Sequence, residues 1–417
     1  MSARTSTAQT LEQRLLLTAT LCLMAIGAVM VYSASSGRNV IAGDVAATTY
    51  LFKYLGYGAV GLLVLSLVSK MDLAVVRRLA PLGLAGAFLL LVLVLIPGVG
   101  LEINGARRWL GVGPVQFQPS EVMKVALVLH VAGVVAAQPK ITSDVRLMFV
   151  PVLVVGGAAV LLVAAQPDLG TALVMSFTMA ALLVACGAPL RQLFGIAAVG
   201  AVLVLLYAAI DAERMSRLTS FANPWAEAGG TGFQAVQGQI AIGSGGIFGA
   251  GLGQSVQKDL YLPEPHTDFI LAVIGEELGV AGIGVILLLF GMIAFAGLRT
   301  AHTAKGIYAK LIAAGLTSLI LCQALLNTWA VLGLAPLTGV PLPLISSGST
   351  SMIVILTSVG LLINVAGGGS AHLRAVAPPR KRRDDEARRQ AAESRDRSRR
   401  DGRSRGAGDS GRRRAAG

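Results

Sequence analysis

A few short stretches of this chain carry side chains that can do chemistry, set in an otherwise apolar sequence. The densest runs from Lys258 through Glu264, His266 and Thr267 to Asp268, and Glu276 and Glu277 follow within the same apolar stretch. A carboxylate where a long connection meets an apolar helix is partly shielded from water, which suits a general base. Asp268 could equally cap that helix, with His266 an ordinary loop histidine. Glu276 and Glu277 lie two turns deeper, where an unpaired carboxylate is expensive, so at least one needs a partner. Arg107 and Arg108 are adjacent in Asn104-Gly-Ala-Arg-Arg-Trp109. Guanidinium forks match phosphate oxygens, so an anionic headgroup or a pyrophosphate is their natural ligand; interfacial anchoring with Trp109 is the plainer alternative. Glu121 and Lys124, three residues apart, can pair on one helix face or turn toward a polar cavity and orient a substrate group. Gln166-Pro-Asp168 makes a tight turn in which Asp168 either caps the next helix or binds. Ser346 and Ser347 open a hydroxyl-rich helix start, whose groups can satisfy free backbone N–H or receive an anion.

The elements that must position these residues are membrane spans. Of 417 residues, 54% are apolar and 14% charged, and 50 are glycine; mean hydropathy is +0.70. A soluble domain carries roughly 25% charged residues, so lipid is the main solvent. Runs long enough to cross about 30 Å of hydrocarbon fall at 15–34, 52–69, 79–97, 119–137, 147–165, 168–186, 192–210, 268–297, 310–332 and 348–366. The expected fold is all-α, a polytopic membrane protein with ten transmembrane helices. The first run is too long for a signal-peptide core and reads as a retained anchor. Cys22, Cys186 and Cys322 sit inside apolar runs without metal-ligand spacing and read as small packing residues.

Charge sets the orientation. Arg4, Arg14, Lys70, Arg77, Arg78, Lys140, Arg146, Arg191, Arg299, Lys305 and Lys310 fall on one side, against Arg38, Lys53, Arg107 and Arg108 on the other. The first side is therefore expected to be cytoplasmic, as are both termini. The formal charge of +13 suggests a nucleic-acid partner until it is divided: residues 370–417 hold 16 Lys and Arg against 7 Asp and Glu, so +9 lies in that tail. The expected organisation is a cytoplasmic N-terminus at 1–14, a membrane domain at 15–369 and a basic, disordered cytoplasmic tail at 370–417. The tail suits anionic lipids or an acidic protein better than nucleic acid. Residues 211–267 form a large extracytoplasmic loop rich in aromatic and branched residues, and Gly229 to Gly253 holds ten glycines, a composition suited to close backbone approach to a ligand.

Several motifs in order resemble the SEDS family (shape, elongation, division and sporulation), polytopic peptidoglycan glycosyltransferases. They are Val29-Met-Val-Tyr-Ser-Ala-Ser35, Gly105-Ala-Arg-Arg-Trp109, Phe117-Gln-Pro-Ser-Glu-Val-Met-Lys124, Gln166-Pro-Asp-Leu-Gly-Thr171 and Tyr261-Leu-Pro-Glu-Pro-His-Thr-Asp-Phe269. Gly253-Gln-Ser-Val-Gln-Lys258 and Ile274-Gly-Glu-Glu-Leu-Gly279 look more like the division members. The pattern departs at Ser349, where a second glycine is usual after Gly348. The resemblance implies polymerisation of lipid II into β-1,4-linked glycan on undecaprenyl pyrophosphate, at the outer face of the cytoplasmic membrane and at the division septum. It carries the family's catalytic aspartate onto Asp268. Arg107 and Arg108 are then candidates to stabilise the departing pyrophosphate, with Lys258 or a divalent cation (Mg2+ or Mn2+) assisting and no organic cofactor. Glu121, Lys124, Gln166, Asp168, His266, Thr267, Ser346 and Ser347 complete the candidate substrate-binding set. Expected partners are membrane lipids, a class B penicillin-binding protein transpeptidase and other division proteins, reached through the tail. A lipid II flippase would instead need a midplane polar site, and a division scaffold would need no site at all.

Overall fold

The structure is a computed structural model that describes residues 10–36, 47–103, 105–112, 115–143, 145–196, 198, 200, 221–259, 262 and 265–368. The basic tail and most of the expected span at 192–210 lie outside the described residues. Among the described residues, eight helices are long and apolar enough to cross a membrane: α1 (Leu11–Ser36), α2 (Thr48–Val68), α3 (Leu73–Leu95), α4 (Pro119–Ala137), α5 (Arg146–Ala164), α8 (Ile270–Thr303), α9 (Ile307–Val331) and α10 (Ser349–Ala366). The expected span at 168–186 is a shorter apolar helix, α6 (Leu169–Ala185). The long connection contributes α7 (Phe233–Gly245), which is not a span. The chain is thus a membrane protein of mainly helical fold.

The helices sort by burial. In α9 and α10, 72% of the most apolar window is buried, against 22% in α2 and 28% in α3 and α5. The first two are central and the others face lipid. Around α9 pack α4, α6, α8 and α10, while α1 packs on α8 and α2 on α10. Short loops force alternate helices to run antiparallel, so 97–118, 165–168, 265–269 and 332–348 gather at one end, here the site end.

Two local features modify an all-helical expectation. Residues 101–117 form a three-stranded antiparallel meander, β1 (Leu101–Ile103), β2 (Ala106–Val112) and β3 (Val115–Phe117). Its first turn uses Gly105 at φ 72°, and Glu102 faces Arg107 across the strands. The other feature is a break in α8 at Gly279, with φ 68° and ψ −166°. Residues Ile270–Glu277 before the break are buried on every side, whereas after it the helix alternates buried and exposed positions.

Part of the glycine-rich run serves this break. Gly246 and Ile247 carbonyls accept from the Val280 and Ala281 amides (both 3.0 Å), and the Ala250 and Gly251 amides donate to the Glu276 and Glu277 carbonyls (2.9 and 3.0 Å). A Cβ on Gly249 would meet the Glu277 carbonyl oxygen at 2.1 Å. The close backbone approach expected from these glycines is therefore an internal one.

Candidate active site

Asp268 sits in a turn, two residues before α8 begins, and the N-cap is Phe269, not Asp268. Its backbone is fixed from two sides. The Asn327 side-chain amide of α9 donates to the Asp268 carbonyl and to the Val340 carbonyl, each at 2.8 Å. The serine-rich turn holds the two preceding residues: Ser346 Oγ donates to the Thr267 carbonyl at 2.6 Å, and the Ser347 amide donates to the His266 carbonyl at 3.0 Å. The same Ser346 Oγ accepts from the Leu342 amide at 2.8 Å. His266 is buried with its ring 4.4 Å from that of Tyr50. Leu344, inside the turn, has φ 65°, a left-handed conformation costly for a branched side chain and typical of over-determined sites. Tyr54 secures it with a 2.6 Å hydrogen bond to its carbonyl.

Depth follows from α9. At about 1.5 Å per residue, Asn327 lies about 25 Å along the axis from Lys310, the cation at the other end. Asp268 therefore stands near the edge of about 30 Å of hydrocarbon, at the level of headgroups.

One turn deeper on the same face of α9 is Gln323. Its carbonyl accepts from Lys124 Nζ at 2.6 Å, and its amide donates to the Pro341 carbonyl (3.0 Å) and Ser351 Oγ (3.2 Å). Lys124 also pairs with Glu121 at 2.9 Å, both side chains almost fully buried. The other carboxylate oxygen, Glu121 Oε2, is buried without a partner among the described residues. Glu121 and Lys124 are thus tied to the serine-rich helix start through α9.

Asp168 caps α6, accepting from the Thr171 amide at 3.2 Å, and also accepts from Gln118 Nε2 (2.8 Å) and Ser120 Oγ (3.3 Å). Arg108 approaches it at 3.9 Å. Capping and network membership are both realised. Successive residues on a strand point to opposite faces, and the two arginines obey this: Arg108 turns inward to Asp168, while Arg107 pairs with Glu102 at 3.0 Å on the exposed face. Arg108 Nε is buried without a partner among the described residues. Gln166 Nε2 donates to the Leu91 carbonyl at 3.0 Å, joining α3 to the turn. Between hairpin and turn lies a cavity of about 240 Å³, lined by Glu102, Arg107, Gln166 and Pro167.

Lys258 is placed differently. It is buried, and its ammonium donates to Glu277 Oε1 (2.8 Å), the Gly253 carbonyl (2.8 Å) and Ser33 Oγ (3.4 Å). With every donor directed into this clasp, assistance to a pyrophosphate is the one assigned role its surroundings contradict. Glu276 accepts from Ser255 Oγ (2.5 Å) and from the Val256 and Gln257 amides (2.9 and 3.4 Å). Both glutamates are thereby partnered, as their depth required.

Among the described residues no three His, Cys, Asp or Glu side chains gather to hold a metal ion. This donor set suits a divalent cation only as one shared with phosphate oxygens. Ser349 stands at the first helical position of α10, after Gly348 as N-cap, so its Cβ meets no backbone restriction. The sequence did not single out Gln118, Gln323 or Asn327. Gln323 and Asn327 carried a usable signal, two amides four residues apart inside an apolar span.

Comparison with known proteins places this arrangement. The family model described as "Cell cycle protein", named for FtsW, RodA and SpoVE, matches residues 13–369. Stage V sporulation protein E of Bacillus subtilis is 40% identical over 369 residues, 87% of this chain and 98% of that protein. A protein of Legionella pneumophila named probable peptidoglycan glycosyltransferase FtsW is 38% identical, covering 76% of this chain and 81% of its own. A solved chain from work titled "Structural coordination of polymerization and crosslinking by a peptidoglycan synthase complex" superposes with a TM-score of 0.71 at 28% identity, covering 84% of this chain and 96% of its own.

Proposed function

Because the chain belongs to the FtsW/RodA/SpoVE family of cell cycle proteins, we propose that it is the peptidoglycan glycosyltransferase of a division-type wall-synthesis complex, with Asp268 as its general base. It polymerises lipid II on the outer face of the cytoplasmic membrane at the septum. The fold we infer has ten spans, the seventh at 192–210, with both termini cytoplasmic and the site end outside.

The observation that carries the site assignment is the contrast among buried acids. Glu121, Asp168, Glu276 and Glu277 are at most 4% exposed, while Asp268 is half-buried at headgroup depth on a fixed backbone. A carboxylate so placed accepts the proton of the acceptor sugar's 4-hydroxyl as that oxygen attacks the donor's anomeric carbon. Attack opposite the leaving group inverts an α-linked pyrophosphate to a β-1,4 linkage, so no enzyme nucleophile is needed. Arg108 faces the departing pyrophosphate, and Arg107 at the cavity contributes secondarily. A divalent cation (Mg2+ or Mn2+), if bound, would be shared with the substrate's phosphate oxygens and would supply further charge neutralisation. Asp168, Gln118 and Ser120 orient Arg108, and Lys124 with Gln323 braces the helix start beneath Asp268. Crosslinking of the product falls to a class B penicillin-binding protein bound alongside, and the basic tail serves anionic lipids or other division proteins.

The test is polymerisation of purified lipid II by the full chain, alone and with its cognate transpeptidase. Glycan formation is expected; translocation of labelled lipid II without any polymer would replace the transferase by a flippase.

A further inference from the structure

The long connection between α6 and α8 places an apolar tip beside the break in α8. Ile247, Phe248 and Leu252 are 68%, 83% and 56% exposed, and no charged residue occurs from Phe233 to Gln257. A water-facing loop of that length without charge is unusual, and a benzyl group left fully in water is unfavourable. The tip is not free to swing toward a distant surface, because four backbone hydrogen bonds stitch residues 246–251 to both sides of the break.

The break also fixes the depth of the tip. Arg299, half-exposed and paired with Glu12, marks the opposite end of the lipid-facing part of α8. At about 1.5 Å per residue, Val280 lies about 29 Å from it, which matches the thickness of the hydrocarbon core at about 30 Å. Val280 is 58% exposed and is followed on the helix by exposed Val285 and Leu288, the lipid-facing side of the span. The Gly246 and Ile247 carbonyls bond to the amides of Val280 and Ala281, so the tip continues that apolar side without interruption.

We propose that Ile247, Phe248 and Leu252 are seated in the bilayer hydrocarbon of the leaflet on the Asp268 side, making this connection a lipid-contacting element of the protein. The polar edge of the same loop, at Gln254, remains in the headgroup or aqueous layer. Because the seated tip is bonded to the break in α8, the helix that begins directly after Asp268, it holds the height of the site against the membrane surface.

The test uses the full chain in vesicles of phosphatidylethanolamine and phosphatidylglycerol, with Cys22, Cys186 and Cys322 replaced and a single nitroxide attached through Phe248→Cys, Leu252→Cys or Gln254→Cys. Labels at 248 and 252 are expected to relax several-fold more strongly with dissolved oxygen than with a water-soluble nickel chelate, and the label at 254 the reverse. Preferential relaxation of 248 and 252 by nickel would overturn the proposal. So would shielding of both from either reagent, which would indicate a protein surface in place of lipid. Should the ring at 248 be needed for seating, the 252 label, which leaves Phe248 intact, decides.

Discussion

Two assemblies of charged residues lie at the site end of this bundle, and they are built on opposite plans. In the clasp of Lys258, Glu276, Glu277, Ser33 and Ser255, every ionised group is buried and met by donors or acceptors at hydrogen-bond distance. In the neighbourhood of Asp268 the backbone is fixed by Asn327, Ser346 and Ser347, and the residue is half-buried. Buried pairs that satisfy one another fix a conformation. A rigidly held group that keeps access to the outside can exchange a proton with a substrate. The difference separates residues of the same chemical type, within one short stretch of chain, into structural and reactive.

The contrast can be broken most severely at the clasp. Lys258→Met leaves Glu277 without its cation in a site where both side chains are at most 3% exposed, and loss of one partner of such a pair costs about 3–5 kcal/mol. Thermal unfolding in detergent should fall accordingly, and adding Glu277→Gln should recover much of the loss; an unchanged midpoint would show that the clasp is not structural. At the other assembly, Arg108→Ala should lower kcat about a hundredfold, in the range of a lost transition-state donor. Arg107→Ala, on the exposed face and engaged with Glu102, should change it by only about twofold, as exposed ion pairs do little. Equal effects of the two would mean that the strand alternation does not sort them. Ser346→Ala should fall between these two. Loss of two hydrogen bonds of about 1 kcal/mol each loosens the Asp268 turn and should reduce kcat roughly tenfold with KM unchanged; a purely structural serine would move the unfolding midpoint and leave the rate alone.

Most of the helices were legible because a span must satisfy its own backbone in lipid and so announces itself as a long apolar run. The start and end of α4 fell where expected, marked by Pro119 at its first turn and Gln138 after it. The meander at 101–117 was not legible, since strands of three residues offer no periodicity and Gly105 looks like any loop glycine. Asp268 and the two arginines stood out by charge in an apolar chain. Lys258 stood out for the same reason and was misjudged, because its partner Glu277 lies 19 residues further along the chain, inside the buried first part of α8, and its other ligands, the Gly253 carbonyl and Ser33, come from loop backbone and the first span. Asn327, which holds Asp268, is neutral and lies close to the end of a span, so charge alone could not reveal it.

The central claim is that Asp268 reacts and does not merely support. It is tested by measuring lipid II polymerisation with the wild-type chain and with Asp268→Asn, both bound to the transpeptidase and both shown to unfold at the same temperature. Loss of a general base should reduce polymerisation by about 10²-fold or more with lipid II binding retained. Polymerisation by Asp268→Asn at the wild-type rate would contradict the assignment.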